Sequence, residues 1–273
     1  MLLQDQQSLR ELKDKIMADK KFDKFAFFLP NIFTAMNIGC GFVAIMYSMQ
    51  GEYYRACMFI MLGAIFDSVD GRVARMTGTS SAFGEQFDSM SDLISFGMAP
   101  AIIYYNRFLI GSGRLGMVIS FLFLLCAALR LARFNANISK VKSDYFQGLP
   151  VPGAAIAVLS YILVSLEYPE LFVNKYIAMP YIVFYALLMI SNVPFSSFKG
   201  SPWVKNNRKK VLFIVFILAS SLFVYEEVMI PVIISAYVIG SIIYVITHKD
   251  KFDGIFEWDE EEAEALEKPT DNG

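Results

Sequence analysis

The chain has 273 residues, 56% of them hydrophobic and only 18% charged, with a formal net charge of −2. That is too apolar for an ordinary soluble domain of this length; the near-zero balance itself says nothing about nucleic-acid or acidic partners, and no nucleic-acid partner is expected. Lipid is the expected solvent.

Residues 6–24 place Leu9, Leu12 and Ile16 on one helical stripe among Arg10, Lys13, Lys15, Lys20 and Lys21, the pattern of an interfacial helix lying on membrane lipids. Their charge, and the lack of a small-residue cleavage site after them, argue against a cleavable signal peptide. Apolar stretches of about 20 residues, long enough to cross a bilayer, follow at 26–49, 53–76, 84–110, 115–134, 150–168, 173–195, 211–225 and 229–247. The expected fold is therefore all-α: a polytopic transmembrane helical bundle of about eight spans, because backbone polar groups in hydrocarbon must be satisfied within each segment. Cys40, Cys57 and Cys126 lie inside these stretches without metal-ligand spacing and read as buried small hydrophobes. His248, beside Lys249, reads as interfacial, which leaves acid–base chemistry to carboxylates or water.

An even number of spans puts both termini on one side. In this arrangement 20 of the 24 Lys and Arg residues fall on that side, against Arg55, Arg107, Arg114 and Lys175 on the other. The positive-inside rule makes the richer side cytoplasmic. The expected division is an interfacial helix over 1–25, a membrane core over 26–200, two additional C-terminal spans within 201–247 and an acidic cytoplasmic tail over 248–273.

The chemistry concentrates in Asp67-Ser-Val-Asp70-Gly71-Arg-Val-Ala74-Arg75 and Gly84-Glu-Gln-Phe-Asp88-Ser-Met-Ser-Asp92. Asp67 and Asp70 are three apart and Asp88 and Asp92 four apart, so on two consecutive helices each pair projects from one face. A Gly- and Ser-bearing link makes those helices antiparallel neighbours with their acids at the cytoplasmic end. Four converging carboxylates repel one another unless cations join them, and an all-oxygen ligand set selects a hard ion such as Mg²⁺ or Mn²⁺. Gly71 and Ala74 leave the helix surface bare for a ligand, and Arg75 offers a fork for phosphate. The competing reading, that the acids merely pair with Arg72 and Arg75, is disfavoured because acids outnumber local bases.

The spacing Asp-x2-Asp-Gly-x2-Ala-Arg-x8-Gly-x3-Asp-x3-Asp, complete from Asp67 to Asp92, resembles the signature of the CDP-alcohol phosphotransferases. The resemblance implies that Asp67, Asp70 and Asp88 hold two metal ions against the diphosphate of a CDP-linked lipid, with Asp92 as general base. It also implies a nucleotide pocket near Gly71, Ala74, Arg75 and Gly84. The opening of the first span, Leu29-Pro30-Asn31-Ile-Phe-Thr34-Ala-Met-Asn37, resembles the family's first helix, where the Asn and Thr contact nucleotide and phosphates; this adds Asn31 and Thr34. A homodimer in the cytoplasmic (inner) membrane, its active site facing the cytoplasm, is the family's expectation.

Three further stretches resemble the phosphatidylserine synthases within that family: Asp92 to Pro100, Leu129 to Asn135 and Phe146 to Pro152. The implied reaction joins CDP-diacylglycerol and L-serine. Arg130 and Arg133, one turn apart where the fourth span ends, suit a serine carboxylate or a lipid phosphate, and Ser95 is a further candidate contact. Ordinary positive-inside anchoring is the alternative for the two arginines. Other acceptors (glycerol phosphate, inositol phosphate, choline), an archaeal-type lipid donor, an ion-coupled transporter and an inactive scaffold are the rival readings. The transporter is disfavoured because no second copy of the aspartate cluster appears.

Overall fold

The structure, a computed structural model, describes residues 28, 30–78, 81–137, 145–196 and 225–247. The expected interfacial helix, the seventh apolar stretch up to residue 224, His248 and the acidic tail lie outside the described residues. What is described is almost entirely helical. In order, the helices are α1 (Pro30–Met49), α2 (Tyr53–Thr77), α3 (Ala82–Asp92), α4 (Ala99–Tyr104), α5 (Gly113–Asn137), α6 (Val151–Glu167), the single turn α7 (Pro169–Phe172), α8 (Lys175–Ile190) and α9 (Glu226–Thr247). Seven of the eight expected apolar segments coincide with helices.

Among the described residues three helical stretches are long and apolar enough to cross a membrane, Pro30–Met49, Ala82–Ala136 and Val228–Thr247, while Val151–Glu167 and Lys175–Ile190 are apolar but shorter. The stretch from Ala82 turns back at Gly113, whose φ of +58° is open to glycine but strained for other residues. α5 then packs back along α4 and the π-helical segments that flank it. Exposed side chains such as Met117, Val118, Phe121 and Ile243 give the outer faces an apolar coat, as lipid requires. All three cysteines are free and buried.

Two features were not legible beforehand. Leu93–Met98 and Tyr105–Leu109 are π-helical, and in the first of these the Ala99 N–H bonds to the Ile94 carbonyl, five residues back. Pro100, lacking an N–H, cannot bond the carbonyl four residues earlier, and the wider turn accommodates that loss. The other is a short antiparallel ribbon, β1 (Tyr145–Gln147) with β2 (Pro194–Ser196), in register Phe146 to Phe195.

The core is built from small residues and aromatics. Helix α5 packs chiefly on α8, α9 on α6, and α2 on α6. Tyr104, Phe108, Tyr161 and Tyr181 form a chain of ring contacts, and the Tyr104 hydroxyl donates to the Ala178 carbonyl at 2.8 Å. One end of the bundle is closed by polar bonds. Asn106 donates to Ser48 Oγ, Tyr53 to the Asn106 carbonyl, and Arg107 to the Ser165 hydroxyl and carbonyl while lying over the Tyr53 ring.

Candidate active site

At the other end stand the acids. Asp67 and Asp70 come from the last turns of α2, which Gly78 terminates with its N–H on the Ala74 carbonyl. Asp88 and Asp92 come from α3, which Ser81 caps by accepting from the Gly84 N–H at 3.0 Å. Helix α1 runs alongside α3, fixed by two serines one turn apart. Ser91 donates to the Thr34 carbonyl at 3.2 Å and Ser95 to the Asn37 carbonyl at 2.9 Å. A Cβ on Gly41 would sit 2.8 Å from Ser95 Oγ, so only glycine permits this approach.

One carboxylate oxygen each from Asp67, Asp70 and Asp88 lie within 4.8 Å of one another. Asp70 is 5% exposed and accepts from the Thr34 hydroxyl at 2.9 Å, with the Pro30 carbonyl as that hydroxyl's other acceptor at 3.2 Å. Asp92 lies against Asp67, side chain to side chain, yet its Oδ1 and the Oδ1 of Asp88 are buried without a hydrogen-bond partner. Among the described residues the only ion pair is Arg55 with Glu52, so neither Arg72 nor Arg75 neutralises the cluster. Converging carboxylates with bare, inward-facing oxygens and no ion pair among the described residues fit a hard divalent ion in donor type and in spacing.

Beside the cluster opens a cleft lined by Asn31, Thr34, Gly71, Ala74, Arg75 and Gly84 together with Asp70 and Asp88. All six residues expected around a nucleotide thus share one surface. An added Cβ on Gly71 would meet only the far end of Arg75 at 3.8 Å, whereas one on Gly84 would press on the capping Ser81 Oγ at 3.3 Å and meet Asn31 Oδ1 at 3.7 Å. Pro30, Ser81 and Glu85 line the cleft as well, and sequence reasoning had not singled out the last two. The capping role of Ser81, three residues before Gly84 at a helix start, was the available signal.

The expected serine contacts divide. Arg130 is 7% exposed, its guanidinium carbon 5.1 Å over the Phe134 ring, within electrostatic reach of Asp92. Among the described residues it makes no hydrogen bond or ion pair. Arg133 does the opposite: it donates to the carbonyls of Ile190 and Gln147 at 3.0 Å, Met189 at 3.1 Å and Ser191 at 3.3 Å. Most of its fork is therefore committed to backbone rather than offered to a ligand. Ser95, fully buried, has its proton on the Asn37 carbonyl, a contact between helices. Asn37 is 0% exposed, and neither its Nδ2 nor its Oδ1 meets a hydrogen-bond partner. It packs at Gly63, one turn before Asp67.

The profile of the CDP-alcohol phosphatidyltransferase family matches residues 27–196. A CDP-diacylglycerol–serine O-phosphatidyltransferase of Helicobacter pylori (strain ATCC 700392 / 26695) is 37% identical over 218 residues, 80% of this chain and 90% of that protein. An archaetidylserine synthase of Methanothermobacter thermautotrophicus is 35% identical over 187 residues, 68% of this chain and 76% of its own. A CDP-diacylglycerol–serine O-phosphatidyltransferase of Methanocaldococcus jannaschii is 39% identical over 171 residues, 63% and 75% of the two chains. With most of the chain aligned at this level, and with Asp70, Gly71, Ala74, Arg75, Gly84 and Asp88 of the spaced motif gathered at one cleft, the chain belongs to the CDP-alcohol phosphatidyltransferase family.

Proposed function

We propose that this chain is a CDP-diacylglycerol–serine O-phosphatidyltransferase, converting CDP-diacylglycerol and L-serine into phosphatidylserine and CMP. The observation that carries the reading is the clustering of Asp67, Asp70 and Asp88 oxygens within 4.8 Å of one another, with Asp92 one turn beyond Asp88. Asp67, Asp70 and Asp88 would hold two divalent ions, Mg²⁺ or Mn²⁺. When bound, such ions neutralise charge on the diphosphate and on the departing CMP.

The protein's own groups do the rest. Asn31, Thr34, Gly71, Ala74, Arg75 and Gly84 shape the cleft that takes the CDP moiety, and Thr34 also steadies Asp70. Asp92 Oδ1, buried without a partner, accepts the proton of the serine hydroxyl. The serine oxygen then bonds to the phosphorus on the diacylglycerol side, and the bond from that phosphorus to the CMP oxygen breaks. Arg130 meets the serine carboxylate or the lipid phosphate, a role for which its unpaired guanidinium is suited.

About eight spans, both termini in the cytoplasm and the acid cluster at the cytoplasmic face complete the proposal, in the inner membrane and as a homodimer. Residues 26–200 form the catalytic membrane core, with 1–25 interfacial, 201–247 contributing two spans and 248–273 a tail. The archaetidylserine synthase relative supports testing an archaeal-type lipid as an alternative donor.

The test is release of CMP by purified protein given CDP-diacylglycerol and Mn²⁺ or Mg²⁺, with L-serine or a panel of other alcohols. Release that requires serine and vanishes with chelator is expected. Release with another alcohol alone would change the acceptor, and no release with any would overturn the assignment.

A further inference from the structure

The stretches Leu129 to Asn135 and Phe146 to Pro152 are separate in sequence but form one joint in the structure. Helix α8 ends at Ile190, leaving carbonyls that no helical N–H reaches. Those of Leu188, Met189 and Ile190 find donors from elsewhere, as do Ser191 and Val193 just beyond. Leu188 accepts from the Leu149 N–H at 3.1 Å and Val193 from the Gly148 N–H at 2.9 Å. Met189, Ile190 and Ser191 accept from Arg133, which also reaches Gln147 in β1. The side chain of Gln147 closes the ribbon by donating to Asn192 Oδ1 at 3.0 Å. A cation at a helix C-terminus is favoured by the helix dipole, and a guanidinium can serve several carbonyls at once.

Gly148 is the other half of the joint. Its φ is +74°, and a Cβ there would collide with the Met189 carbonyl and lie 2.9 Å from Arg133 Nη2. Any larger residue would push apart the groups that Arg133 joins. On the opposite side α5 is tied to α3, because Asn135 Nδ2 donates to Ser89 Oγ at 2.9 Å, next to Asp88. The last turns of α5 are thus held between α8 and the acid-bearing helix. Arg130 lies in that interval, one turn before Arg133, buried and without a hydrogen bond or ion pair among the described residues. Phe134 covers one face of this guanidinium and Asp92 lies within electrostatic reach, which leaves its N–H donors for a ligand anion.

We propose that Arg133 is a positioning residue for acceptor recognition: clamped with Gly148 onto the end of α8, it fixes the exit of α5 so that Arg130 faces the acceptor's carboxylate beside Asp92. The inference rests on the reaction proposed above. It assigns Arg130 to the amino-acid acceptor rather than the lipid phosphate, and removes Arg133 from the ligand shell.

The test compares KM for L-serine and for CDP-diacylglycerol in wild-type protein and in Arg133→Gln, Arg133→Lys, Gly148→Ala, Arg130→Gln and the Arg130→Gln/Arg133→Gln double variant, with thermal stability measured in parallel. Arg133→Gln and Gly148→Ala should each raise the serine KM about tenfold, with the CDP-diacylglycerol KM within about twofold; tenfold is the scale of one hydrogen bond to a charged group. Arg133→Lys should recover part of the loss. In the Arg130→Gln background the Arg133 substitution should leave the serine KM unchanged, because the effect passes through Arg130. Equal shifts in both KM values, or multiplicative effects in the double variant, would overturn the inference. So would a loss of stability with serine KM unmoved. If Arg133→Gln does not fold, Arg133→Lys and Gly148→Ala carry the same comparison. Wild-type protein showing no serine-dependent CMP release would instead sink the proposed reaction itself.

Discussion

The two ends of this helical bundle handle buried polar groups in opposite ways. At the closed end Ser48, Tyr53, Asn106, Arg107 and Ser165 satisfy one another across four helical segments. At the acid end Asp88 and Asp92 each keep a buried oxygen bare, the Asn37 amide bonds to nothing, and Arg130 is a buried cation without an ion pair among the described residues. Polar groups in hydrocarbon are costly at either end. Where they are mutually satisfied, they hold helices together; where two carboxylates, an amide and a guanidinium stay unsatisfied at one end, a ligand is what completes them, and the isolated Ser112 and Ser120 hydroxyls, also buried without a partner, form no such cluster. The contrast predicts that substitutions at the closed end act on stability and those at the acid end on binding and turnover.

The largest effect should come from removing divalent metal. Chelator is expected to abolish CMP release, with Mg²⁺ or Mn²⁺ restoring it, and added metal should raise the thermal midpoint because it binds the folded cluster alone. A midpoint indifferent to metal would remove the cation from the account of why four carboxylates converge. Next is Asp92→Asn, expected to lower turnover about 10²–10⁴-fold while leaving Mn²⁺ binding intact, as read by electron paramagnetic resonance. Loss of Mn²⁺ binding would instead move Asp92 into the metal shell. Asp70→Asn should lose both.

Smaller, and confined to one substrate, is the effect of narrowing the cleft. Gly71→Ala and Ala74→Leu add atoms where the protein leaves space, so each should raise the KM for CDP-diacylglycerol, Ala74→Leu by about tenfold, the equivalent of ~1.4 kcal/mol. Stability should hold, because a Cβ on Gly71 meets only the tip of Arg75 at 3.8 Å. Unchanged affinity would place the nucleotide elsewhere.

How much of this was legible in the sequence follows from how local each feature is. Helices announce themselves as apolar runs, and the aspartates' spacing of three and four puts each pair on one face, so the helices and the cluster could be read directly. Gly113 as the reversal point fell inside the expected gap between 110 and 115. The π-helical turn after Asp92 depends on one missing N–H at Pro100, and the ribbon joins residues 145–147 to 194–196, which no local pattern connects. Arg133 shows the limit most clearly. An arginine at the end of an apolar helix looks the same whether it faces an anion or a neighbour's carbonyls, and only the place where α8 stops decides between them.

The smallest effects test the closed end, where the comparison is easiest to break. Arg107→Met would leave the Ser165 hydroxyl and carbonyl without their donor and should cost about 1–3 kcal/mol of stability, the penalty for stranding buried polar partners. Tyr53→Phe is milder. It deletes the 3.1 Å bond to the Asn106 carbonyl but keeps the ring over which Arg107 sits, 5.2 Å from its centroid. The expected loss is about 0.5–1.5 kcal/mol, measured by thermal unfolding in detergent, with both substrate KM values unmoved. Because the closed end and the acids are joined only through packed helices, a change in KM on removing this one hydroxyl would mean that the closed end sets helix positions at the site. The division between a satisfied, structural end and an unsatisfied, functional one would then have to be abandoned.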